Sequence, residues 1–278
     1  MAELGFSLEG NSGKGVLLVH GLSGAPAEMR YLARQLHRRG FTVHVPLLAG
    51  HAQDERALLR TGWRDWLATV AAAYESLRTK VDEVYTAGIC VGGALGIALA
   101  AERPELRAVA VYSMTFRYDG WNMKRFYSTI APWLEPFADL PLVRRISFRE
   151  PSPFGLKDEK LRKAVASSAH RLIEGALDRL PLGSMCQMYR LAEHCEQVGA
   201  RVSQPVLLMH AREDDMADPR NAVRLRAALA GPVDLRLVED SYHMLHVDKQ
   251  RDYVANSTAV FFGASEATAL RRRTRQPA

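Results

Sequence analysis

A cysteine set among glycines, Gly88-Ile89-Cys90-Val91-Gly92-Gly93, is the residue of this chain best placed for covalent chemistry. An apolar run rich in strand formers precedes it and a helix-forming run follows, which is the context of a nucleophile elbow. Such a sharp turn leaves little room for neighbouring side chains, which accounts for the three glycines. A helix N-terminus favours an anion, and the thiolate is the nucleophilic form of cysteine. A buried structural cysteine is the competing reading, because free cysteines rank among the most buried residues. Three other clusters tip the balance. His20-Gly21-Leu22-Ser23-Gly24 follows a short apolar strand, and its small residues let backbone N–H groups point into a cavity, as an oxyanion site needs. Ala211 to Pro219 places Glu213, Asp214 and Asp215 just beyond another apolar strand, where an acid can orient a histidine. Asp218, before Pro219, reads as a helix cap instead. Ser241-Tyr242-His243-Met244 lies past the following strand and supplies the histidine.

Strands must end where these clusters begin. Gly15 to His20 is a short apolar run of buried-strand type. Helical spacing follows over Ala27 to Arg39, with Gly40 as its stop. A strand is expected over Phe41 to Val45 and a helix over Trp63 to Thr79, whose Trp63, Trp66, Leu67, Val70, Tyr74 and Leu77 share one face. Next come strand Glu83 to Gly88, helix Val91 to Ala101 and strand Arg107 to Tyr112. The pattern resumes with strand Pro205 to His210, helix Pro219 to Leu229, strand Val233 to Val238 and a closing helix near Lys249 to Phe262. Strands alternating with helices of this length indicate βαβ units and a parallel sheet. Between about Ser113 and Gln204 the alternation stops, and aromatics are scattered among prolines. A structureless loop of that length does not fit a compact domain, so an inserted element with helices of its own is expected there. The organisation read from the chain is a core domain over 1–112 and 205–265, a helical lid over 113–204, and a basic, disordered tail over 266–278.

Bulk composition narrows the function classes. The 278 residues are 47% hydrophobic and 24% charged, the usage of a soluble globular chain. Arg271, Arg272, Arg273 and Arg275 supply four of the six net positive charges, leaving +2 for the remainder. That is too little to argue for a nucleic-acid groove. Cys90, Cys186 and Cys195 are odd in number and form no CxxC pair, so a reducing, cytoplasmic setting is expected. Met1 to Gly10 carries Glu3 and Glu9 without a basic flank and is not read as a signal peptide. Val84 to Ala101 carries no charge and reaches the length of a membrane span. Its four glycines fit a strand, a tight turn and a helix better.

In chain order the candidates run nucleophile, acid, histidine, as in α/β hydrolases. The chain resembles that superfamily, in particular the small bacterial carboxylesterases and monoacylglycerol-lipase-like hydrolases. The likeness rests on LLVHGLSG (Leu17 to Gly24), AGH (Ala49 to His51), GICVGG, AREDDMADP and SYHMLHVD (Ser241 to Asp248). It covers the chain apart from its tail, the insertion matching in position only. The resemblance implies an α/β-hydrolase fold with an inserted helical lid, and no metal or organic cofactor. It implies Cys90 as nucleophile, His243 as general base, and Asp214 as orienting acid, preferred to Asp215 because it aligns with the family's loop acid. The oxyanion hole would be the backbone N–H groups of Leu22 and Val91. His20 and His51 would shape their loops.

Two residues depart from the family pattern. Serine usually stands where this chain has Cys90, and glycine is commoner than Tyr242 before the histidine. Cysteine at the elbow does occur among dienelactone hydrolases and polyhydroxyalkanoate synthases. A cysteine changes how the tetrahedral intermediate partitions: thiolate leaves more readily than alkoxide, so attack on an unactivated ester tends to reverse. Thioesters and activated esters go forward. The expected function is therefore hydrolysis of acyl esters or thioesters through an acyl-enzyme on Cys90. An acyltransferase on the same fold is the first rival. There Lys124, Arg125, Arg144, Arg145 and Arg149 would meet a phosphopantetheine-type acyl carrier, unless they form only a solvated lid surface. A non-catalytic ligand-binding member is the second rival, since fold alone does not fix function.

Overall fold

The computed structural model describes residues 5–123, 135–137, 140–167, 175–177 and 179–273, with side chains as far as residue 263. The chain opens with β1 (Phe6–Leu8) and β2 (Lys14–Val19), then a 3-10 turn (Pro26–Met29) leading into α1 (Arg30–His37). β3 (Thr42–Val45), α2 (Glu55–Leu59), α3 (Trp63–Arg78), β4 (Glu83–Ile89), α4 (Val91–Glu102) and β5 (Val109–Tyr112) follow. Next come β6 (Ser147–Arg149), α5 (Glu159–Ser167), β7 (Arg179–Pro181) and α6 (Leu182–Val198). β8 (Val206–Ala211), α7 (Arg220–Ala228), β9 (Val233–Val238) and α8 (Arg251–Arg273) complete the order.

Seven strands make the main sheet in the order β1-β3-β2-β4-β5-β8-β9. All neighbours run parallel except β1, which is antiparallel to β3. Parallel sheets are covered on both faces, which explains why β2, β4 and β8 are almost continuously buried and mostly apolar. The register pairs Val19 with Gly88, Ile89 with Tyr112, and Ala211 with Val238. The carboxyl ends of β2, β4, β8 and β9 thus finish along one edge, where open parallel sheets place their sites.

The uncharged run from Val84 to Ala101 divides into β4 and α4. Residues Val91 to Ala100 of α4 are all buried, as expected of a helix that is apolar all round. It packs against the sheet, α3 and α6. No described helix is long and apolar enough to cross a membrane.

The region between β5 and β8, expected as a helical lid, also carries strands. It contains the antiparallel pair β6–β7, which joins Phe148 to Leu180, together with α5. Strands of three residues are too short for side-chain alternation to reveal. Its last helix, α6, lies against α4 and buries Met188, Leu191, Ala192 and Cys195, so that helix packs with the sheet layer. Lys124 and Arg125 fall outside the described residues. The closing helix also runs on to Arg273, past the expected end at Phe262, so the segment read as a disordered tail begins as helix.

Two glycines close the turn after β4. A Cβ on Gly88 would stand 2.4 Å from the carbonyl carbon of Gly92, and one on Gly92 would stand 2.1 Å from the carbonyl oxygen of Val19. Both obstacles are backbone and cannot swing aside. Gly92→Ala is therefore expected to lower the urea-unfolding free energy by about 1–3 kcal/mol or more, the range of overpacked cores. A variant unfolding at the parental urea concentration would refute this account of the turn.

Candidate active site

Cys90 occupies the turn between β4 and α4 with φ +51° and ψ −112°, a left-handed conformation that costs a non-glycine residue strain. Its N–H donates to the Tyr112 carbonyl at 2.9 Å, which ties the turn to the neighbouring strand. The side chain is 5% exposed and opens on a cavity of about 260 Å³. Behind it, the thiol contacts the thioether sulfur of Met188 on α6 at 3.7 Å. Val91 opens α4, so its N–H is one of the helix-terminal donors that lack an intrahelical acceptor.

The loop after β2 faces the same cavity through Gly21, Leu22, Ser23 and Gly24. His20 braces this loop from beneath. Its Nε2 accepts the Leu48 N–H at 3.3 Å, and its Nδ1 lies 2.9 Å from the Gly21 carbonyl oxygen. Burial, helped by nearby His51, lowers the His20 pKa to about 3, and burial lowers that of His51 to about 4. Both are neutral rings stacked edge-on at 5.0 Å, in keeping with a loop-shaping role. Glu28, four residues beyond Gly24, is also buried and reaches back into the loop, its Oε1 accepting the Gly21 N–H at 2.8 Å.

The loops after β8 and β9 bring an acid and a histidine together. Asp214 Oδ2 and Oδ1 lie 2.9 and 3.1 Å from His243 Nδ1. The N–H groups of Met216 and Ala217 both donate to Oδ1 at 2.9 Å, and His210 Nε2 is 3.1 Å from Oδ2. Burial opposes the charge on Asp214, but His243 and the His210 hydrogen bond hold this carboxyl far below the usual carboxylate range. Burial likewise opposes a charged His243. The Asp214 charge and hydrogen bond overcome it, with Cys90 adding in the same direction, and hold the imidazole well above its ordinary value.

Asp215 does something else. Its carboxylate accepts the Gly155 N–H at 3.1 Å and the His243 backbone N–H at 3.4 Å, so it fastens the insertion and the histidine loop. Burial and then the charge of Asp214 push its pKa up. Asp218 accepts the Arg220 N–H at 2.8 Å, but the N-cap position of α7 is held by Pro219, one residue later than expected. Tyr242 packs edge-on against Trp121 at 5.5 Å and does not face the cavity.

Two further contributors, Asp248 and Glu150, are not among the candidate residues read from the sequence. Asp248 accepts from Ser241 Oγ at 2.7 Å, the Tyr242 N–H at 2.9 Å, and the Lys157 and Asp158 N–H groups at 3.1 and 2.9 Å. One carboxylate thus pins the histidine loop to the insertion. Asp248→Ala should lower stability by about 1–3 kcal/mol, the cost of stranding buried donors. An unchanged urea midpoint would remove Asp248 from this role. Glu150 reaches across from the end of β6, and Ser23 Oγ donates to it at 2.7 Å.

The cavity is lined by apolar residues, among them Leu156, Val165, Leu177, Met244 and Val247, and by polar ones, among them Ser23, Glu28, Glu150 and Arg149. Of the other basic residues read in the insertion, Arg144 donates to the Leu59 carbonyl and Arg145 is exposed. Among the described residues, no group of three or more His, Cys, Asp or Glu side chains is arranged to hold a metal ion.

Comparison with known proteins agrees with this architecture. The chain is 25% identical to the thermostable monoacylglycerol lipase of Bacillus sp. (strain H-257) over 253 residues, 91% of each protein. It is 23% identical to the carboxylesterase of Bacillus subtilis (strain 168), covering 90% of this chain and 92% of that one. The solved monoacylglycerol lipase of Paleococcus ferrophilus superposes with a TM-score of 0.77 at 18% identity, over 95% of this chain and all of the other. Residues 10–250 match the family described as serine aminopeptidase S33. Carried on a parallel sheet whose carboxyl edge gathers the elbow, the acid and the histidine, that match makes the chain an α/β hydrolase belonging to the serine aminopeptidase S33 family.

Proposed function

We propose that this protein hydrolyses small acyl esters or thioesters through a covalent acyl-enzyme on Cys90. The observation that carries the reading is Cys90 at a strained elbow, opening on the same cavity as His243, whose Nδ1 is held by Asp214. With Nδ1 engaged, the other ring nitrogen is available to the thiol. His243 takes the Cys90 proton as sulfur attacks the acyl carbon, and the carbonyl oxygen becomes an oxyanion between the Leu22 and Val91 N–H groups. Collapse breaks the bond to the leaving group, which takes the proton from His243. Water, deprotonated by the same imidazole, then adds to the acyl thioester, and Cys90 leaves as thiol. The apolar lining residues accommodate the acyl chain. The relatives named as a monoacylglycerol lipase and a carboxylesterase support ester substrates. The cysteine shifts the expected preference toward thioesters and activated esters, for the leaving-group reason already given.

Intact-mass analysis after mixing with short and medium acyl esters and acyl thioesters tests this. A mass increase located on Cys90, lost again in water alone, is the expected result. Loss only on addition of an alcohol or amine would replace hydrolysis by acyl transfer. No adduct and no turnover with any acyl donor would overturn the reading.

A further inference from the structure

Glu28 is a buried carboxyl for which the hydrolytic scheme has no task. It projects from the 3-10 turn Pro26–Met29, is 4% exposed, and lines the cavity that holds Cys90 and His243. Its Oε1 accepts the Gly21 N–H at 2.8 Å. On the other side the loop closes onto the second oxygen, since a Cβ on Gly24 would stand 2.0 Å from Oε2. The carboxyl therefore fills the hollow of the segment Gly21 to Gly24, and Leu22, the proposed oxyanion donor, sits in the middle of that segment.

The groups facing Glu28 do not neutralise a carboxylate. His246 Nε2 is 3.9 Å from Oε1, but that ring is buried, finds no hydrogen-bond partner, and is kept neutral by burial and by His243, which lower its pKa to about 3. Glu150 adds a like charge from the insertion, while His243 favours the ionised form from across the cavity, where Cys90 also lies. Burial dominates the sum and raises the Glu28 pKa to about 7.

We propose that Glu28 is a positioning residue that moulds the oxyanion loop, its Oε1 holding the Gly21 N–H and its Oε2 filling the space beside Gly24. The inference rests on the acyl-hydrolase reading above. Geometry explains why a side chain of this length is needed: it must span from the 3-10 turn to the Gly21 N–H. Burial favours its protonated form up to about pH 7. A carboxylate in the same low-dielectric cavity would oppose the oxyanion, at a cost on the order of tenfold in rate. The sign for stability follows from the same chemistry. A carboxyl whose folded value lies above its unfolded one stabilises the fold fully below about 4.5, and that contribution is lost as pH rises through about 7.

Two variants and two measurements test this. Glu28→Gln keeps an oxygen for the Gly21 N–H and can never ionise, whereas Glu28→Ala empties the hollow. Thermal unfolding is followed from pH 5 to pH 9, independently of turnover. The parent is expected to lose stability relative to Glu28→Gln across pH 5 to 8. In the same pH series, kcat for one thioester should fall about 10²-fold in Glu28→Ala with KM nearly constant, the pattern of a damaged oxyanion site. Glu28→Gln should recover most of that loss at pH 6 and exceed the parent by on the order of tenfold at pH 9. Equal pH slopes of unfolding for parent and Glu28→Gln overturn the assignment whatever the turnover. So does a Glu28→Gln variant as slow as Glu28→Ala. An absence of turnover in the parent overturns the hydrolase reading instead, and the unfolding comparison separates the two failures.

Discussion

Cys90→Ala is expected to lower acyl turnover by about 10⁴- to 10⁶-fold, the range seen when a nucleophile is removed and only binding and oxyanion stabilisation remain. The fold should survive, because the alanine methyl fits where the thiol was and the backbone strain at φ +51° is already borne by the surrounding turn. Iodoacetamide should label Cys90 ahead of the other two cysteines, with activity lost in step. Cys186 and Cys195 are 1% and 0% exposed, and burial pushes the Cys195 thiol up to about 12. Cys195 Sγ is also committed to the Ala94 carbonyl at 3.1 Å. His243→Ala should slow the labelling of Cys90, because the base that draws off its proton is gone. Cys90→Ser separates two histories of the site. Serine oxygen expels an alkoxide more readily than sulfur does, so faster hydrolysis of ordinary esters would mark a scaffold suited to serine. Lost activity on thioesters would mark a site adapted to sulfur. If labelling is stoichiometric and turnover persists, or if Cys90→Ala is fully active, Cys90 is not the nucleophile.

The glycine turn at Cys90 was legible because it is built from local sequence. Gly88 and Gly92 announce a place where backbone passes backbone, and the run before them is a strand buried on both faces. The four strand ends that carry the site were readable for the same reason, each being a short apolar run closed by loop residues. What was not legible depends on contacts that no local pattern announces, whether close in the chain or far along it. Glu28 looks like an ordinary polar residue near a helix start, and only the closing of the Gly21–Gly24 loop buries it. Glu150 meets Ser23 across 127 positions, a pairing no periodicity announces. Met188 lies in a segment read as insertion, yet α6 returns to the sheet layer and sets it behind Cys90. β1, β6 and β7 are each three residues long, below the length at which alternation distinguishes a strand from a loop.

Asp214 and Asp215 are adjacent and identical in type, so sequence could rank them only by alignment; their geometry predicts sharply different variants. Asp214→Asn is expected to lower kcat by about 10⁴-fold, the loss known when an orienting aspartate becomes an amide and the histidine is held in the wrong tautomer. The oxygen that receives the Met216 and Ala217 N–H groups must remain an oxygen, since two backbone donors point at it. The amide nitrogen is then forced to the other position, 2.9 Å from His243 Nδ1 and 3.1 Å from His210 Nε2. There it donates to His243, moves the ring proton to the nitrogen that must accept from Cys90, and faces the His210 N–H as a second donor. Asp215→Asn leaves that tautomer alone. It retains one acceptor for the N–H groups of Gly155 and His243, so kcat should fall less than about tenfold while stability drops by about 1 kcal/mol. Steady-state kinetics on one thioester and urea unfolding of both variants decide the matter. Equal losses of kcat would mean that the acid works through the position of the histidine backbone and not through its ring. Recovery of Asp214→Asn activity at high pH, where hydroxide can bypass the imidazole, would place the defect in proton transfer, as the tautomer argument requires.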